Sequence, residues 1–203
     1  WGFSSAFFNL LSLILIVFTL VIQKEEMTNN SLVNTFINMV NIHANFINDF
    51  NINDSNNEIS GREVFKYHYT NIEKKSTEEI EDYFKNKMFS DYSFYFENVY
   101  RVLKFVDQSF NPNSKSHYSK EPCKDSFKYA AIFRSNFNVY ELYWIQVYYF
   151  YLNQLEPNSK SLLKFKCLLE KNTFFKLTSA SNQFMFNSQI ALFDQAAFKS
   201  PFN

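Results

Sequence analysis

The sequence predicts an all-α protein, built as an N-terminal transmembrane helix followed by a helical bundle domain. Three observations carry this. Helix breakers are scarce, with two glycines and four prolines in 203 residues. Apolar residues recur at three- and four-residue steps through most of the chain. The segment Trp1 to Gln23 contains no charged residue, and its core, Ala6 to Ile22, has nearly the length of the roughly 20-residue run that spans a bilayer. Residues 1–23 are therefore the expected membrane helix, 24–30 a short connector, 31–180 the helical domain and 181–203 an irregular tail.

Within the helical domain, Leu32, Val33, Phe36, Ile37, Val40, His43, Ile47 and Phe50 mark the apolar face of a helix over 29–50. Residues 51–58, rich in Asn, Asp and Ser, read as a polar loop. Ser60-Gly61-Arg62-Glu63 has capping-box spacing and predicts a helix to about Ile72. Ser76-Thr77-Glu78-Glu79 repeats the signal and predicts one to about Met88. Asp91 is the expected cap of a helix reaching about Ser109. A loop covers 111–121, with Pro112 inside it and Pro122 directly after it. One long aromatic helix is expected over 125–155, broken by Pro157 and Asn158, then a short one from Ser159 to about Glu170. Residues 172–203 read as loop with one short helix.

Twenty basic residues balance twenty acidic ones, which argues against a dominant nucleic-acid-binding surface. Aromatics at 20% and hydrophobics at 46% exclude wholesale disorder. Cys123 and Cys167 lie far apart and suggest neither a disulfide framework nor a zinc site. No Walker loop, zinc motif, nucleophile elbow or paired-carboxylate signature is present, so no cofactor and no metal are expected.

Only three of the basic residues are arginine: Arg62, Arg101 and Arg134. An arginine offers a fixed planar fork of donors that lysine lacks. His43, on an apolar helix face, suits either a general acid or base or a buried imidazole that fixes a helix contact. Arg62 and His68 form an Arg-x5-His pair. That spacing is similar to the loose pattern of HEPN-type helical ribonucleases, in which such a pair would activate a ribose hydroxyl and stabilise the developing phosphorane charge. Arg134 and Glu141 lie seven apart on the expected long helix, hence on one face. Buried charges there require partners, for which Arg101 and Asp107 are candidates. The aromatic run Tyr140 to Tyr151 suits a core or a subunit interface, or base stacking.

Several segments together resemble a known family. They are FFNLLSLILIVFTLVIQKEE (Phe7 to Glu26), NTFINMVNIHANFI (Asn34 to Ile47), GREVFKYHY (Gly61 to Tyr69), YFENVYRVLKFVD (Tyr95 to Asp107) and YAAIFRSNFNVYELYWIQVYYFYLN (Tyr129 to Asn153), with the tail KFKCLLEKNTFF (Lys164 to Phe175). In this order they resemble the AbiC-like phage abortive infection proteins, membrane-anchored bacterial defence proteins. His43, Arg134 and Glu141 fall on positions that match the family pattern, whereas the stretch around Phe94 and Glu97 departs from it. The resemblance implies an inner-membrane anchor, often of two helices, ahead of a cytoplasmic domain. It also implies a role in stopping host growth on infection. On this reading the chain is a membrane effector or a sensor and scaffold, with the lipid bilayer, further copies of itself or a defence protein as partners. The alternative is a HEPN-like ribonuclease acting on RNA through His43, Arg62 and His68.

Overall fold

A computed structural model describes residues 2–54, 57–111 and 123–175, together with Phe193 and Ala197, and the side chains of this set from residue 14 onward except Asp54 and Asn57. Its elements run α1 (Gly2–Asp49), β1 (Asn51–Asp54), β2 (Asn57–Ser60), α2 (Glu63–Thr70), α3 (Thr77–Lys87), α4 (Phe89–Phe110), α5 (Lys124–Arg134), α6 (Val139–Leu155) and α7 (Lys160–Lys171). By its contacts the chain divides into two units, Trp1–Met39 and Val40–Asn203.

The first unit is the larger part of α1. No glycine or proline lies between Phe3 and Asp49, so nothing interrupts the hydrogen-bond ladder for 48 residues. The expected connector at 24–30 is helical as well. Thr19, Thr28 and Thr35 each turn a hydroxyl back to the carbonyl four residues earlier, an arrangement that lets the helix carry them in its interior.

The expected transmembrane helix is corrected by this structure. Among the described residues no helix is long and apolar enough to cross a membrane. Gln23, Lys24, Glu25 and Glu26 continue the same helix. The inner-membrane placement built on that helix loses its support.

The second unit opens with the last turns of α1 and an antiparallel hairpin where a loop was expected. Ile52 pairs with Ile59 and Asn51 with Ser60. Gly61 then turns the chain with φ +61° and donates its N–H to the Phe50 carbonyl at 2.8 Å. A side chain would find room there, with the nearest atom 3.9 Å from an added Cβ, so glycine is selected by the backbone angle. Because Ser60 belongs to β2, its expected capping box is not made, and α2 begins at Glu63 without a side-chain cap.

The Ser76 box is made. Ser76 N–H donates to Glu79 Oε2 at 2.8 Å, and Glu79 N–H donates to Ser76 Oγ at 3.4 Å. The long helix expected over 125–155 is two helices. α5 stops at Arg134, and Asn138 with Glu141 builds a second capping box that starts α6. α6 is buried on nearly every face, from Glu141 through Tyr149. Its Trp144 donates Nε1–H to the Phe65 carbonyl at 3.0 Å, which ties α6 to α2. Phe65, Phe84, Phe96 and Tyr148 pack as a chain of rings around it. α4 contacts α3, α5, α6 and α7 and buries Tyr92, Tyr95, Phe96, Val99, Val102, Leu103 and Val106 along one stripe. The tail predicted at 181–203 lies outside the described residues, apart from Phe193 and Ala197.

Candidate functional site

Three of the sequence-level candidates come together in one buried network. Glu141 has no exposed surface. Its Oε1 accepts a 2.8 Å bond from the Tyr95 hydroxyl. Its Oε2 accepts from the Asn138 N–H at 2.8 Å and from Arg62 Nη1 at 3.2 Å. Burial raises the Glu141 pKa above the ordinary carboxylate value, and the Asn138 N–H, the Tyr95 hydroxyl and the Arg62 charge work against that rise. Burial, with the charge of Glu141, drives the Tyr95 phenol well above its ordinary value.

His43 joins this network through Tyr95, on which it stacks with centroids 4.6 Å apart. Phe133 and Phe137 close two more sides at 5.1 and 4.9 Å. Its Nδ1 lies 3.2 Å from the Asn98 amide nitrogen, which assigns Nδ1 as acceptor. Nε2 is buried with no hydrogen-bond partner among the described residues. Burial, reinforced by the positive charge of Arg62, lowers the His43 pKa to about 3. An imidazole this weakly basic stays neutral at physiological pH and is a poor general base there.

His68 lies apart from this network. Its Nδ1 is 2.9 Å from the Tyr83 hydroxyl and its Nε2 is 3.2 Å from the Tyr92 hydroxyl. Burial lowers its pKa to about 4, partly offset by the Asp91 charge. Arg62, at the N-cap of α2, and His68, in its last turn, serve different partners, Glu141 for the one and two phenols for the other.

The remaining candidates go to three further places. Arg134 donates Nη1–H to the carbonyls of Asn172 (3.0 Å) and Thr173 (2.8 Å) and to Thr173 Oγ1 (2.6 Å). It therefore closes the C-terminal end of α7, where Thr173 takes φ +47°. Arg101 pairs with Glu97 on the exposed face of α4 at 3.2 Å rather than with Glu141 or Arg134. Asp107 accepts from the Lys171 ammonium, and each side chain is only 4% exposed. Sequence reasoning missed Tyr95, Asn98, Tyr83, Tyr92 and Lys171. It also missed Asn138, whose Asn-x-x-Glu spacing ahead of an apolar run is itself a capping signal.

Among the described residues no group of three or more His, Cys, Asp or Glu side chains is arranged to hold a metal ion. Comparison with protein-family models, with curated proteins and with solved structures gives no match.

Proposed function

We propose that the chain is a recognition module, a sensor or scaffold, of a bacterial anti-phage defence system. The defence context rests on the ordered motifs that resemble the abortive infection proteins. The recognition role rests on one observation: the side chains best suited to acid–base chemistry are held as structure. Glu141 caps α6 and neutralises Arg62. His43 is shut among aromatic rings. Arg134 ends α7. Glu141, Arg62 and Arg134 are each engaged by a neighbour from another element or a cap, as expected of a scaffold that must keep one shape.

The ribonuclease reading calls for Arg62 and His68 to act on one phosphate. Arg62 would first have to leave a fully buried carboxylate, at the cost of stranding that charge. The test is phage plating on cells carrying the intact gene, with total RNA sampled through infection. A recognition module predicts protection that needs a partner and leaves RNA uncut by the purified chain. RNA fragmented by the purified chain, and spared by an Arg62→Gln variant that still folds, would overturn the proposal.

A further inference from the structure

The second unit holds a recess of about 550 Å³ lined by β1, α2, the α2–α3 connection, α3 and the first turn of α4. That volume falls in the range of about 300–1,000 Å³ typical of small-molecule sites. Tyr67, Tyr83 and Tyr92 supply aromatic wall, and Asn51 and Asn71 belong to the same lining. Lys75 and Lys87 bring two ammonium groups against the single carboxylate of Asp91. Lys75 Nζ already stands over the Tyr83 ring, 5.5 Å from its centroid.

His68 forms the floor, 5% exposed. A neutral imidazole has one N–H and one bare nitrogen. One of its two tyrosine partners must therefore give its O–H to the ring, while the other accepts from the ring and keeps its own O–H. Whichever tautomer is present, one phenolic O–H does not go to the ring, and the Tyr83 hydroxyl also has Asn71 as a side-chain hydrogen-bond partner. The recess thus combines aromatic surface, a polar floor of imidazole and phenol groups, and two lysines against one aspartate in its lining.

We propose that this recess binds a small phosphate-bearing aromatic molecule of the nucleoside monophosphate class, its base against the tyrosines and its phosphate at Lys75 and Lys87. Aromatic stacking is tolerant of base identity, so the site is specific for the class rather than for one base. The phosphate makes binding salt-dependent, since the lysines are exposed and screened. The inference goes beyond the recognition reading, which would survive its failure.

The experiment is calorimetric titration of the purified full chain with AMP, GMP, CMP and UMP, beside adenosine and inorganic phosphate. At least one nucleotide should bind saturably, roughly tenfold more tightly than adenosine or phosphate. The Lys75→Ala/Lys87→Ala variant should lose at least about tenfold in nucleotide affinity and keep its affinity for adenosine. Both lysines are exposed, so the variant keeps the helical circular-dichroism signal of the parent. Absence of saturable binding by all four nucleotides would overturn the proposal. Equal affinity of parent and variant, or of phosphate and nucleotide, would do the same. So would tight binding of a short RNA that none of the four mononucleotides displaces.

Discussion

Arg62 and Glu141, 79 positions apart in the chain, meet at 3.2 Å with the glutamate side chain wholly buried and the arginine side chain 39% exposed. The same carboxylate closes the first turn of α6, so one side chain both starts the central helix and fastens the residue before α2 to it. Replacing Glu141 by Gln keeps the shape and removes the charge. It should cost about 1–3 kcal/mol, because the partly exposed Arg62 regains some water. Urea denaturation of parent and variant measures the difference, and an unchanged midpoint would remove this pair from the account.

Asp107 and Lys171 form a pair with almost no access to solvent. Asp107→Asn leaves a buried ammonium without its counter-charge and should cost about 3–5 kcal/mol. The double variant Asp107→Leu/Lys171→Met removes both charges and should recover most of that loss. The pair of denaturation curves checks this, and a double variant no more stable than the single one would count against a purely electrostatic origin.

Arg134 answers two carbonyls and one hydroxyl at the end of α7. All three bonds leave Nη1, and a lysine, one bond shorter, keeps the charge but carries its ammonium short of those acceptors. Arg134→Lys is therefore expected to destabilise the chain by about 1–2 kcal/mol. Hydrogen exchange should rise first in the last turn of α7, whereas a uniform change along the chain would indicate some other origin.

Both buried histidines titrate below their unfolded value, His68 near 4 and His43 near 3. Above about pH 6.5 they are neutral in the folded and unfolded states alike. Below that, the unfolded chain takes up protons that the folded chain refuses, so stability falls as pH falls. The loss continues until the folded values are reached. Its slope is up to about 1.4 kcal/mol per pH unit for each histidine. Glu141, with its pKa raised by burial, has the opposite sign in its own window and offsets part of the loss. Denaturation midpoints at pH 7 and pH 5 should differ accordingly, and His68→Gln should shrink the difference.

Much of the helical pattern was legible because it is local. The Ser76 cap, the break at Pro157 and the apolar stripe of α4 depend on residues within a few positions of one another. The hairpin was hidden because a polar Asn-rich stretch reads as loop until Ile52 and Ile59 are seen to pair. The break between α5 and α6 was hidden because aromatic residues on both sides mask the Asn138 cap. The membrane helix was expected from the length of the uncharged run, whereas the helix that forms runs on into charged residues. In the candidate site, sequence identified His43 alone, Arg62 with His68, and Glu141 with Arg134. Their meeting depends on Tyr95, which is one of 13 tyrosines and carries no local signal.

The central claim is that the buried polar network serves the fold and not catalysis. It is tested most directly by phage plating on cells that carry Arg62→Gln, with the folded protein level measured in the same cells. Protection should follow the amount of folded protein and equal that of the parent at equal level. A variant that reaches the parent's folded level and gives no protection would contradict it, and would return Arg62 to the chemistry of the site.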